Sequence, residues 1–509
     1  MATASGESWK DHWKVFVACG IMILSPFQYG VDFGLIGGLQ AMVPFLKVYG
    51  YEDPSTAIGW NIQTVRQQLI ASLMTLGAFI SSGTAGVVAA KFGRRHCLWA
   101  ACLLCCVSNI IMMATTSIGA LYAGRFLIGL ANGYFMTFSQ LYIQESSPAK
   151  YRGLFLTAFQ FFTSVGTLIG SIVDWATAKR PDKSAYLIPL GIIYVVPCFL
   201  VIAMFFIPES PRWLILQGRY EEGVKALVWL RPAGGDAEGE AREIRAAIDK
   251  EKETASGVGI WDMFRDPVDR RRTILAVCSV TLQAASGSMF IIAYKAYFFT
   301  MARVSDPFAM SNVLSTIGII AILMNSLIVV RFGRRRVLLM TGLIGCCILQ
   351  LIIAIVYHKE PGTTTTGKVI VALSCLYMMS YNGMIAPYAW LAGGEIPSQR
   401  LRSYTFGLAA AVGFLGAWVT TFTAPYFINP SALNWGPRYG FIWAPSCIIA
   451  AVWVFFFLPE LKGRTLEEID EMFYARLPAR KFRSHVCVGA GPSAEREKKS
   501  IEVETEEKV

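Results

Sequence analysis

The chain is poor in charge. Asp, Glu, Lys and Arg make up 16% of its 509 residues, against about 25% in an ordinary soluble domain. With 54% hydrophobic residues and a mean hydropathy of +0.47, that scarcity excludes a disordered chain and a water-soluble enzyme of two or three domains. Histidine is scarcer still. The four present, His12, His96, His358 and His485, fall in loops or tails, which argues against a histidine base or a zinc site. Apart from Cys102, Cys105 and Cys106, grouped in one apolar run, no Cys or Cys/His spacing of the metal-binding kind occurs. Most of the twelve cysteines lie in apolar runs and read as small packing residues. No nucleophile–base pair stands out, so the sequence predicts neither an enzyme nor a cofactor nor a metal. Residues 1–14 are polar and the first apolar run is long enough to span a bilayer, so no cleavable signal peptide is expected.

What the chain has in abundance is apolar runs of about 20 residues, the length that crosses a hydrocarbon core of about 30 Å. Twelve are apparent, at 15–35, 69–90, 97–116, 119–142, 153–173, 187–207, 273–299, 309–330, 337–357, 368–391, 403–427 and 439–458. The predicted fold class is therefore an all-α membrane protein of twelve spans in two six-helix bundles. The predicted domains are an N-terminal tail (1–14), a first bundle (15–207), a linker with short helices (208–272), a second bundle (273–458) and a C-terminal tail (459–509). The net charge of +11 would suit nucleic acid only as a stripe on a soluble surface. Here it sits between apolar runs. With both termini on one side, that side's segments hold 35 of the 46 Lys and Arg and the opposite loops nine. The excess predicts cytoplasmic termini and a cytoplasmic linker in a multi-pass cell-membrane protein, bound to lipid and not to nucleic acid.

The halves repeat. KFGRR at 91–95 returns as RFGRR at 331–335; Glu145 and Arg152 return as Glu395 and Arg402 with the same spacing; PESPR at 208–212 is echoed by PELKGR at 459–464. Three paired motifs in one order argue for duplication, the architecture of many secondary transporters. With FQYGVDFGLIGG (27–38), GRFLIGLANG (124–133), YIQESSPAKYRG (142–153), PESPRWLILQGR (208–219) and PELKGRTLEEID (459–470), the chain resembles the sugar porter family of the major facilitator superfamily over nearly its whole length. A narrower resemblance, to fungal maltose and α-glucoside permeases, rests on WDMFRDPVDRRRT (261–273), GSMFIIAYKAYFF (287–299) and PYFINPSALNWGPRYGFIW (425–443).

Asp32 lies inside the first span, where an ionised carboxylate costs about 2.5–3.5 kcal/mol and marks a functional site by default. Arg125 in the fourth span is its natural partner. A carboxylate beside a guanidinium binds a proton weakly; drawn away into hydrocarbon it takes one up. The resemblance implies that this pair couples protons to sugar; a fixed structural ion pair is the competing reading. One charge moving through about 100 mV is worth about 2.3 kcal/mol, and one pH unit adds about 1.4 kcal/mol. Together they support accumulation of about several hundredfold.

The resemblance also implies sugar contacts at Gln160, Gln283 and Trp390, and an occluding aromatic gate at Tyr294 and Tyr297, which read equally as interfacial tyrosines. Lys295 between them either snorkels outward or sets a positive charge over the vestibule. The family's further C-terminal amides are missing: Ala284, Met289, Gly318 and Ala410-Ala411-Val412-Gly413 stand in their places. The pocket is then expected to be larger and less polar there, as suits a disaccharide, a glucoside or a non-sugar metabolite. Asn325 and Asn382 either supply amides from new positions or bridge helices.

The motif residues Arg94, Glu145, Arg152, Glu209, Arg212, Arg334, Glu395, Arg402, Glu460 and Arg464 read as a conformational lock of pairs across span ends. The acid usual before GRR is absent, with Ala90 and Val330 in its place. The tail from KFRSH (481–485) onward is expected to be disordered. The expected function is a proton-coupled sugar symporter acting as a monomer. The alternatives are a carrier or exporter of another small metabolite, a facilitator, and a nutrient sensor.

Overall fold

The computed structural model of the chain describes residues 12–487 apart from 55, 57, 233–234, 256–260, 330–333, 399–400, 463, 465 and 486. Helices account for nearly all of it; the strands described are one two-residue pair, Tyr51–Glu52 against Trp60–Asn61. We number the twelve long helices α1 (Trp13–Leu39), α2 (Thr64–Phe92), α3 (Arg94–Ala114), α4 (Ile118–Ser146), α5 (Ala149–Thr177), α6 (Ser184–Ala203), α7 (Pro267–Met301), α8 (Pro307–Leu327), α9 (Arg335–Lys359), α10 (Thr364–Glu395), α11 (Arg402–Ile428) and α12 (Gly440–Phe457). Ten are long and apolar enough to cross a membrane. The other two, α4 and α5, have 29 residues each, about 43 Å of helix. Each predicted span falls on one of the twelve.

The duplication reappears as packing. In the first half α1 lies on α5 and α2 on α4; in the second α7 lies on α11 and α8 on α10. The halves meet along α2 with α11, α5 with α8, and α1 with the second part of α7. This is a twelve-helix major facilitator fold. The end carrying the residue 208–272 linker is called the linker face below, and the opposite end the far face.

Lipid gives helices no hydrophobic reason to associate, so small residues that admit close backbone contact decide which surfaces pair. On α1, Gly30 and Gly34 lie against the backbone of Thr163 and Thr167; on α5, Gly166 and Gly170 lie against that of Phe27 and Val31. This reciprocal seam sets α1 tightly on α5 and fixes where Asp32, between the two α1 glycines, must point. Among the described residues, helical regularity is broken in α6 at Ile193–Tyr194, in α7 at Gly287, whose φ of +77° suits glycine, at the end of α8 by a π-helical segment at Asn325–Val329, and in α10 by another at Tyr381–Ile385.

The linker supplies Pro211–Leu216, Tyr220–Leu230 and Ala237–Ala255 as short helices. The C-terminal segment corrects one expectation. A helix Leu466–Tyr474 and the chain through Cys487 pack under the second half. Arg272 pairs with Asp470 at 2.5 Å and lies 4.7 Å from the ring of Phe473, while Arg464 donates to the carbonyls of Arg483 and His485. Residues 481–485 are thus folded; 488–509 lie outside the described residues.

The seam predicts a sharp contrast. Gly166→Leu pushes α1 from α5, an overpacking cost of at least about 1–3 kcal/mol, and is expected to cut the monodisperse yield on gel filtration. Gly20→Leu, at an exposed position where an added Cβ meets nothing within 4 Å, is expected to leave the yield unchanged.

Candidate functional site

Asp32 is fully buried. Its carboxylate accepts from Asn132 Nδ2 of α4 at 2.6 Å and from Gln28 Nε2, one turn back on α1, at 3.2 Å. Arg125, also buried, turns to α2: its Nε donates to the Ile70 carbonyl at 3.0 Å and its Nη2 reaches Met74 Sδ at 3.0 Å. The two charges remain within electrostatic reach but are held by other partners. Sequence reasoning missed Asn132 and Gln28. The signal was available: Asn132 is seven residues past Arg125 on one helix, and Gln28 four before Asp32, so each pair shares a face.

The sugar-contact candidates divide. Gln160 of α5 is half-buried, with no side-chain hydrogen-bond partner among the described residues. Gln283 of α7 donates to the Ala386 carbonyl of α10 at 3.0 Å. Trp390 stands half-buried on α10, its ring 6.0 Å from that of Phe406 and 6.5 Å from that of Phe414. Asn325 accepts from Tyr388 Oη at 2.7 Å and so bridges α8 to α10. Asn382, on the π-helical turn, sets its amide in the space a side chain at Gly318 would need. A neighbouring helix thereby puts an amide where the eighth span has glycine.

The far face is closed. Hydrogen bonds joining the halves gather there: Asn429 Nδ2 donates to Gln67 Oε1 at 2.8 Å and to the Ile62 carbonyl at 2.9 Å, and Asn61 Nδ2 donates to Asn429 Oδ1 at 3.3 Å. Thr64 meets Ser431 at 2.9 Å, and deeper in, Thr75 meets Thr421 at 3.2 Å. Both gate tyrosines are fully buried: Tyr294 donates to the Thr421 carbonyl at 2.8 Å, and Tyr297 to Asn61 Oδ1 at 3.4 Å. Lys295 is 3% exposed and donates to Ser315 Oγ at 2.5 Å, so its ammonium does not snorkel to solvent.

At the linker face the charged motifs tie helices within each half. In the first, Arg94 Nη2 donates to Glu145 at 2.6 Å, and Ser210 Oγ to the same carboxylate at 2.5 Å. Glu209 accepts from the backbone N–H of Arg94 and Arg95 at 3.1 and 3.0 Å and caps α3. The second half repeats this. Arg335 pairs with Glu395, and Glu460 accepts from the N–H groups of Arg335 and Arg336 at 3.2 and 3.1 Å, capping α9. Anions at helix N-termini complement the orphan N–H groups and the dipole. Alignment of RFGRR with KFGRR points to Arg334, and this is corrected. The counterpart of Arg94 is Arg335, because α9 begins one residue later and leaves Arg334 exposed at its N-cap. The capping acid missing before GRR comes from Glu209 and Glu460, more than a hundred residues away. The Ala90 carbonyl accepts from Trp213 and Gln217 of the linker. Arg212 and Arg402 are half-buried and engaged, Arg464 binds C-terminal carbonyls, and the Arg152 side chain lies outside the described residues. Near the C-terminus Glu471, His485 and Cys487 bring one ligand atom each within 4.8 Å of one another, which their spacing does not announce.

A family model described as "Sugar (and other) transporter" matches residues 18–473. The chain is 29% identical to the major facilitator-type transporter ecdD of Aspergillus rugulosus, over 91% of this chain and 87% of that one. It is 26% identical to the low-affinity glucose transporter HXT1 of Saccharomyces cerevisiae, over 90% and 81%. The fold matches the proton:xylose symporter XylE with a TM-score of 0.71 at 21% identity, covering 90% of this chain and 99% of that one.

The two caps predict matched losses. Glu209→Ala and Glu460→Ala are each expected to cost about 1 kcal/mol, and, lying in separate halves, to add in the double variant. Thermal unfolding in detergent measures both.

Proposed function

The chain belongs to the sugar (and other) transporter family, and on that premise we propose that it is a proton-coupled symporter of a sugar. In this reading the termini and linker are cytoplasmic, and the protein works as a monomer in the cell membrane. The observation that carries it is Asp32: a carboxyl at membrane depth, on the helix packed closely against α5, with neutral amides as its hydrogen-bond partners. A structural ion pair would keep Arg125 on Asp32; here the guanidinium is held by α2. Rocking of the halves changes what faces Asp32, and with it the affinity for a proton. The relatives named above support a sugar as the cargo.

The state described has its far face closed, which with a cytoplasmic linker is not the outward-open state. In this reading Gln160 of the first half and Gln283 and Trp390 of the second contact the sugar, with amides for hydroxyls and an indole face for a pyranose ring. Ala284 and Met289 remove two amides on the second half's side, and Asn382 returns one at Gly318. That balance favours an α-glucoside over a single hexose, because a second ring needs room and an apolar wall. The same loss of amides supports the second reading, a carrier of a less polar metabolite.

In proteoliposomes with an imposed pH gradient and membrane potential, maltose is expected to accumulate and protons to enter with it. Asp32→Asn is expected to reduce accumulation from about several hundredfold to near unity, while exchange of labelled for unlabelled sugar continues. Accumulation that survives the substitution overturns coupling at Asp32; uptake that ignores the gradient means a facilitator; failure of maltose and other glucosides to bind means another cargo.

A further inference from the structure

The C-terminal segment carries a constellation that the transport reading does not use. Helix Leu466–Tyr474 presents Glu471, and the chain beyond it turns back and brings His485 and Cys487 to the same helix. A carboxylate oxygen, an imidazole nitrogen and the thiol sulfur lie within 4.8 Å of one another. Cys487 is 3% exposed, and its Sγ stands 3.8 Å from the Glu468 carbonyl, one turn before Glu471. Glu471 and His485 are half-buried, so solvent reaches the cluster from their side. The shape of the cluster is set by contacts outside it. Arg464 Nη2 donates to the carbonyls of Arg483 and His485 at 3.2 and 2.8 Å. The buried ring of Phe482 meets that of Phe473 edge-on at 5.0 Å. Asp470 pairs with Arg272 of α7 and so fastens the helix to the second half.

One oxygen, one nitrogen and one sulfur donor together select an ion. Ca²⁺ and Mg²⁺ take oxygen ligands, and Cu(I) favours sulfur. Zn²⁺ accepts thiolate, imidazole and carboxylate alike, at about 2.0–2.3 Å in a tetrahedron. That geometry sets ligand atoms about 3.3–3.6 Å apart, so the present spread closes with about 1 Å of side-chain movement. We propose that Glu471, His485 and Cys487 bind one zinc ion, with water in the fourth position, and that the ion clips the end of the described chain to the helix beneath the second half. The thiol gives its proton to solvent as it binds. Thiolate and carboxylate then balance the two charges of the ion, and Arg464 beside the site meets no net positive charge. Contacts that Glu471 and Cys487 already make are exchanged for coordination bonds. The three residues are far apart in the chain or flanked by no second Cys or His at a metal-binding spacing, so only the fold assembles the site.

The test needs neither sugar nor gradient, so its outcome is separate from that of the transport reading. The full chain, without an affinity tag, is stripped with a chelator in lipid nanodiscs and titrated with zinc chloride. One zinc ion per chain is expected to bind. Cobalt(II) in its place is expected to show tetrahedral bands in the visible and a thiolate charge-transfer band in the near ultraviolet. Cys487→Ser is expected to abolish that charge-transfer band. Cys487→Ser and His485→Ala are each expected to weaken zinc binding at least about 100-fold, beyond the cost of losing an outer-shell partner. Cys198→Ser, at the exposed cysteine of α6, is expected to change neither. Zinc is also expected to slow amide hydrogen exchange over 466–474 in the wild type and not over 220–230 of the linker. Cobalt without the thiolate band, a variant at Cys487 or His485 that binds zinc like the wild type, or exchange at 466–474 indifferent to zinc overturns the proposal. The exchange measurement requires no variant, so it decides the matter even where a substitution prevents folding.

Discussion

A charge inside hydrocarbon has to be held by something, and the holding partner lies on another helix. That constraint organises this molecule. Asp32 ties α1 to α4, Arg125 ties α4 to α2, and Lys295 ties α7 to α8. Remove the charges and the halves would still pack, through glycine seams such as that of α1 and α5. What would vanish is the penalty for putting the wrong group beside each charge.

The duplicated motifs act differently from those charges. At the linker face each acid–arginine cluster stays inside one half and closes orphan helix termini: Glu209 on α3, Glu460 on α9, with Glu145 and Glu395 holding the first arginine of each helix. Such clusters make each half a rigid body. Rigid bodies that rock need their fixed contacts inside the halves and their breakable ones between them, and the described contacts sort that way.

The architecture was legible in the sequence because hydrophobic length and motif repetition are properties of the chain itself. Twelve runs became twelve helices. What was not legible depends on rotation and register. That Asn132 and not Arg125 meets Asp32 is decided by the α4–α1 crossing, which no local pattern encodes. Arg334 was the wrong member of its arginine run because α9 begins one residue late, a shift invisible when three arginines stand together. Asp174 of α5 was hidden by a polar boundary: hydropathy ends a span at the first charge, whereas the helix continues to Thr177 with that carboxyl buried. The folded start of the C-terminal tail was missed for a related reason, since its attachment is Arg272, one of three consecutive arginines that read as a topology signal.

The contacts between the halves at the far face differ in strength from a buried charge, and the difference has a direction. Between the halves at the far face most bonds are neutral, Asn61, Gln67 and Asn429 with Thr64 and Ser431, each worth about 0.5–1.5 kcal/mol net of water. Water can replace such bonds one at a time, so opening there has no large single barrier to cross. The buried charges are the exception, because they cannot be released singly without stranding a partner. A carrier built this way opens gradually through its amides and decisively through its charges. In the reading proposed above, the protonation state of a buried carboxyl such as Asp32 then counts for more than the number of neutral bonds at the far face.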